Sequence, residues 1–176
     1  MRRALIIVDM QQAFFSDETP KHDWRGLVAR LNTLAAKIRQ TGGLVIFIQH
    51  NGPEGSPFAP GQPGWQVLSD LNVASGDLRV TKTACDSFLG TQLESILKSA
   101  GVGELIITGW ATDYCVDTTV RAALAKGWPT IVPSDGHSVA DRPHLSAAQI
   151  IAHHNAIWAD FISPGGAAKV FCIDEI

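Results

Sequence analysis

Short runs of consecutive apolar residues alternate along this chain with longer stretches of helical pattern. Ala4–Val8 (ALIIV), Leu44–Gln49 (LVIFIQ), Glu104–Thr108 (ELIIT), Thr130–Val132 and Lys169–Ile173 read as strands, with Arg79–Thr81 as a weaker member of the same kind. Between them, helices are predicted near Arg25–Thr41, Phe88–Ala100, Cys115–Lys126 and Leu145–Asp160, and Gly42-Gly43 and Gly127 stop two of them. Several strands are apolar throughout, the pattern of a parallel sheet covered by helices on both faces. Strand, crossover helix, strand, repeated, predicts an α/β fold in three layers, α/β/α. In such sheets ligands bind beyond the carboxyl ends of the strands. One segment departs from the alternation. Asn51–Gly64 (NGPEGSPFAPGQPG) carries too many Pro and Gly residues for a helix or a central strand. It reads as a long excursion, of the kind that often covers a site.

Composition narrows the picture. With 176 residues, 45% hydrophobic and 18% charged, the chain is expected to form a single domain over 1–176 with a substantial core. A formal net charge of -3 and scattered Lys and Arg argue against a nucleic-acid partner or a membrane surface. No apolar run approaches the roughly 18 residues of a membrane span. Arg2-Arg3 before Ala4–Val8 resembles the start of a signal peptide, but Asp9 breaks the apolar run too early. Cys85, Cys115 and Cys172 are odd in number and widely spaced, which argues against a disulfide framework and for a cytoplasmic setting.

Three reactive side chains fall near the carboxyl ends of predicted strands: Asp9 after ALIIV, Lys82 after RVT, and Cys115 beyond ELIIT and the turn GWATDY. Singly each has a commonplace explanation: an Asx turn, a solvated charge, an inert core thiol. Together they form a chemical set. A thiol that attacks a carbonyl must lose its proton, and a helix N-terminus and a neighbouring ammonium both favour the thiolate. A carboxylate can take that proton and return it to a leaving group. No other trio in the sequence has this character.

The segment GWATDYCVDTTVRAA (Gly109–Ala123) closely resembles the nucleophile motif of the isochorismatase-like cysteine hydrolases. IIVDMQQAF (Ile6–Phe14) resembles that family's opening Asp motif and VTKTACDSFLGT (Val80–Thr91) its Lys segment, in the family's order. The resemblance extends through SDGHS (Ser134–Ser138) and IIAHHNAIW (Ile150–Trp158). It implies a six-stranded parallel sheet in the order 3-2-1-4-5-6. It also implies Asp9 as general base and acid, Lys82 as charge partner and Cys115 as nucleophile. The backbone N–H groups of Ala111 and Cys115 would form an oxyanion hole, with a cis peptide bond between Trp110 and Ala111. The implied activity is hydrolysis of a C–N bond in a small amide, lactam or ureido substrate through a thioester. Homo-oligomers, dimers or larger, are common in the family.

The nicotinamidases of this family bind a metal through Asp-x-His and further histidines after the second strand. Here Gln49, His50 and Asn51 stand in that place, and no histidine follows until His137. No metal and no cofactor are therefore expected, and the pattern is similar to the metal-free, streptothricin-hydrolase-like branch. Phe14, His50, Trp65, Trp110 and Tyr114 are the candidates for contact with a small-molecule substrate. His137 is expected to brace the loop after the fifth strand and Cys172 to be buried; Cys85 is expected to be structural, although its place three residues beyond Lys82 permits closeness to Cys115. Other readings are a vinyl-ether hydrolase and a non-catalytic binding or scaffold member of the fold. A Rossmann nucleotide binder is weaker, since no G-x-G-x-x-G follows the first strand.

Overall fold

The computed structural model describes Met1–Ile176. Its elements in chain order are β1 (Arg2–Val8), α1 (Gln12–Phe15), α2 (Trp24–Gln40), β2 (Leu44–His50), β3 (Leu78–Lys82), α3 (Leu93–Ser99) and β4 (Val102–Trp110). After these come α4 (Asp117–Ala125), β5 (Thr130–Pro133), β6 (His137–Ser138), α5 (Ala147–Ala159) and β7 (Lys169–Phe171). The main sheet runs β3-β2-β1-β4-β5-β7, every pairing parallel, with the short β6 added beside the end of β4. The implied order 3-2-1-4-5-6 is thus the observed one, β7 occupying the sixth place. No helix is long and apolar enough to cross a membrane.

The unbroken apolar strands are explained by two separate cores. Leu5 and Ile7 of β1 point into one, with Leu27, Leu31, Leu34 and Ile38 of α2 and Ile150 of α5. Ala4, Ile6 and Val8 point into the other, with Leu93 and Leu97 of α3 and Val120, Ala123 and Leu124 of α4. Strand side chains alternate between faces, so a central strand buried on both must be apolar at every position. Two helix boundaries have visible causes. Thr41, Gly42 and Gly43 close α2, Gly42 taking a φ of 75° while the Gly43 N–H reaches the Ile38 carbonyl at 2.9 Å. A capping box of Ser146 and Gln149 opens α5.

Two predicted helices start later than expected for visible reasons. The helix placed at Phe88–Ala100 begins only at Leu93: Gly90 sits at φ 65°, and Asp86 Oδ1 and Thr91 Oγ1 capture the N–H groups of Phe88 and Leu93. The helix placed at Cys115–Lys126 is preceded by a wider π-helical turn, Thr112–Val116, in which the Val116 N–H reaches back to the Ala111 carbonyl. The 51–64 excursion is irregular, as its composition requires. It is closed by local turns such as Gly52 N–H to Phe58 carbonyl, 2.9 Å, and ends in a 3-10 turn at Pro63–Trp65.

Candidate active site

Four strand ends meet at the carboxyl edge of the sheet. Lys82 ends β3, His50 ends β2 as its register partner, Asp9 follows β1, and Cys115 lies in the turn after β4. Asp9 adopts φ 49°, a left-handed conformation that a non-glycine residue enters only at a cost. Beside it, Gly109 of β4 is at φ 117°, and a Cβ there would lie 2.2 Å from the Val8 carbonyl oxygen. Only glycine lets β4 pass this close to the backbone that carries Asp9. The Trp110–Ala111 peptide bond is cis.

Lys82 Nζ is 2.8 Å from Asp9 Oδ2, with both side chains fully buried, and it donates to Cys115 Sγ at 3.2 Å and to the Ala84 carbonyl at 2.8 Å. The structure therefore brings Asp9, Lys82 and Cys115 together. Burial raises the Asp9 carboxyl above its ordinary value, against the opposing pull of Lys82. Burial works against the Lys82 ammonium, but Asp9 and Cys115 outweigh it and hold Lys82 above its usual value. Cys115 differs from expectation. Burial, then the Asp9 charge, push its thiol well above the ordinary range, and Lys82 only partly offsets them. The balance favours the thiol more than a helix start and a lysine alone suggested.

A cavity of about 550 Å³ opens above these groups, a size typical of small-molecule sites. Of the predicted contact residues, Phe14, His50, Trp110 and Tyr114 line it, as does Ala111. The Ala111 N–H, a proposed oxyanion donor, has no backbone acceptor within the chain. Trp65 does not line the cavity. Its indole N–H donates to Asn51 Oδ1 at 2.8 Å, and its carbonyl accepts from Gln11 Nε2 and Gln49 Nε2, each at 2.9 Å. Trp65 instead fastens the end of the long loop to the strand ends. Cys85 is exposed and lines the cavity with Cys115, the closeness that its place beyond Lys82 permitted, whereas Cys172, expected to be buried, is exposed because β7 is the sheet's edge.

Other wall residues escaped the sequence reading. Phe58, the lone aromatic inside the Pro/Gly excursion, packs on Phe14 with centroids 4.3 Å apart. Arg142 lines the cavity while forking onto Asp113 of the turn that carries Cys115, at 2.8 and 2.9 Å, and its guanidinium lies over Tyr114. Lys21, nearly buried, pairs with Asp17 at the mouth. Gln11, fully buried, accepts from the His50 N–H at 2.7 Å and donates to the His50 carbonyl at 3.0 Å. Gln11 stands beside Gln12 just after Asp9, and nothing local in the sequence distinguishes the buried one from its neighbour. Arg142 and Asp113 are 29 residues apart and carry no local signal either.

Two histidines outside the cavity are structural. His137 is buried behind the turn that carries Cys115, bonded to Thr112 Oγ1 at 2.9 Å and Asn155 Oδ1 at 3.0 Å, and burial lowers its pKa to about 4. The Asn155 amide N–H donates to the Ser134 carbonyl, so Oδ1 faces His137; its Nε2 carries the proton and Nδ1 accepts from Thr112. His154 bonds the Ile150 carbonyl within α5. No three His, Cys, Asp or Glu side chains converge as a metal-ligating group.

The Isochorismatase domain model matches residues 3–160. Streptothricin hydrolase of Streptomyces noursei is 35% identical over 80% of this chain and 51% of its own length. Ureidoacrylate amidohydrolase of Klebsiella pneumoniae is 30% identical over 67% of this chain and 65% of its own. The chain thus spans about half the length of the streptothricin hydrolase it matches. The crystal structure of an isochorismatase family protein superposes with a TM-score of 0.87 at 32% identity, covering 96% of this chain and 97% of that one.

Proposed function

Since the chain belongs to the isochorismatase family, we propose that it is a cysteine hydrolase that cleaves a C–N bond in a small amide, lactam or ureido substrate. The observation that carries this reading is the single buried ammonium of Lys82, shared between the Asp9 carboxylate and the Cys115 sulfur at the floor of a substrate-sized cavity.

The mechanism follows from the charges. Burial makes Asp9 a stronger base than an exposed carboxylate, better matched to a thiol that releases its proton reluctantly. Asp9 takes the Cys115 proton as sulfur attacks the carbonyl carbon, and Lys82 stays beside both groups as negative charge moves from one towards the other. The N–H groups of Ala111 and Cys115 would receive the oxyanion, each such donor contributing about 3–4 kcal/mol in the transition state. The C–N bond then breaks as Asp9 passes its proton to nitrogen, releasing the amine and leaving a thioester on Cys115. Water, deprotonated by Asp9, attacks the thioester; the acid departs and the proton returns to sulfur. A thiol nucleophile in contact with its base suits C–N cleavage better than vinyl-ether hydrolysis. Phe14, His50, Trp110 and Tyr114 would hold the substrate, and the long loop that carries Phe58 would cover it.

The test is an amide-library screen for released ammonia or amine, run on the wild-type protein and Cys115→Ala together. Turnover by the wild type alone is expected. Turnover by both would remove Cys115 from the mechanism, and binding without turnover would favour a non-catalytic member.

A further inference from the structure

His50 has a place in the cavity that the chemistry above does not use. Its backbone is held at both ends by the Gln11 amide, while its buried Nδ1 has no hydrogen-bond partner. Burial, assisted by the Lys82 charge and opposed by that of Asp9, lowers it from its ordinary value, which favours the neutral ring, able to give or accept a hydrogen bond. Phe58 meets it edge-on at 6.3 Å, and Phe14 packs against Phe58. Three separate elements, β2, the long loop and α1, thus converge on one wall of the cavity.

The order of the strands says what that wall faces. Along the sheet edge the sequence is β3, β2, β1, β4, so Asp9 stands between the β2 end, with His50, and the β4 end, which leads to Cys115. Adjacent strands are about 4.8 Å apart, which puts the β2 and β4 ends roughly 10 Å from each other. In the proposed reaction the carbonyl carbon lies at Cys115 and the departing nitrogen at Asp9. Any group carried by that nitrogen then continues towards β2. Ammonia would leave the His50 wall untouched.

We infer that His50, Phe14 and Phe58 form a leaving-group subsite, and that the substrates are N-substituted carboxamides with a flat or apolar group on nitrogen. The inference rests on the cysteine-hydrolase reading. As the C–S bond forms and the C–N bond breaks, the proton that Asp9 took from Cys115 goes to the nitrogen, and His50 hydrogen-bonds the amine that departs.

The experiment uses matched primary, N-methyl and N-benzyl amides of the same acids on the wild-type protein, His50→Ala, His50→Gln and Phe58→Ala. Steady-state kcat/KM is measured with single-turnover acylation and deacylation followed by intact mass. N-Benzyl amides are expected to surpass the primary amides. His50→Ala and Phe58→Ala should each reduce that preference about tenfold, the scale of one lost pocket contact, and His50→Gln should retain part of it. The effect should fall on acylation alone, because the amine has left before the shared thioester hydrolyses. A preference for primary amides, or variants that slow deacylation as much as acylation, would overturn the subsite. If no member of the panel acylated Cys115 in the wild-type protein, the hydrolase reading itself would fall.

Discussion

Replacing Lys82 by methionine removes the ammonium while keeping most of the side chain's volume. The Lys82–Asp9 contact is 2.8 Å with both side chains fully buried, so the variant leaves a carboxylate in the interior without its counter-charge. Breaking a buried pair in this way costs about 3–5 kcal/mol. At about 2–4 °C per kcal/mol for a protein of this size, the melting temperature should fall by about 6–20 °C. The loss depends on pH, with a definite sign. The Asp9 carboxyl is already raised by burial, and without Lys82 it is raised further. A carboxyl raised in the folded state binds its proton more tightly there. Its contribution is fully present below the unfolded value and is lost as pH rises through the folded one. The variant should therefore approach the wild type near about pH 4, the ordinary aspartate value, and fall away towards neutrality. Urea or thermal unfolding at a series of pH values measures this. Adding Asp9→Leu to Lys82→Met should recover most of the stability at neutral pH, since an apolar pair replaces a buried ion pair with little loss, and should restore no turnover. A deficit that is constant with pH, or a double variant no more stable than the single one, would refute the reasoning.

Asp9→Asn removes the charge that, after burial, holds the Cys115 proton, and it keeps Lys82. Ultraviolet titration of the thiolate should move to lower pH and iodoacetamide labelling of Cys115 at neutral pH should quicken, yet turnover should drop by about 10²–10⁴ for want of a general base; unchanged labelling would count against the coupling. Turnover should survive EDTA and phenanthroline, because no metal-ligating cluster forms; loss on chelation with recovery on added zinc would show a metal dependence. Gly109→Ala should cost more than about 3 kcal/mol, since its Cβ would meet the Val8 carbonyl oxygen at 2.2 Å. An unaltered melting temperature for that variant would mean that the β1–β4 approach can relax.

What the sequence determined by itself was whatever neighbours along one element decide. ALIIV could be read as a strand covered on both faces because every one of its side chains enters one of two cores. Asp9, Lys82 and Cys115 could be selected because strands end where their apolar runs end and a parallel sheet collects those ends on one edge. Helix starts were less legible: Leu93 yielded to Gly90 and side-chain hydrogen bonds, and a π-helical turn displaced the start at Cys115. The tertiary structure decided what depends on groups far apart in the chain. Trp65 ends a loop whose composition says that it wanders but not where it returns, and the loop brings Phe58 to the cavity and turns Trp65 to Asn51. Arg142 reaches Asp113, in the turn that carries Cys115, from 29 residues away. The environment of Cys115 is the clearest case, because the motif shows the lysine that favours a thiolate, while the burial that pushes the thiol upward comes from elements packed around the sulfur.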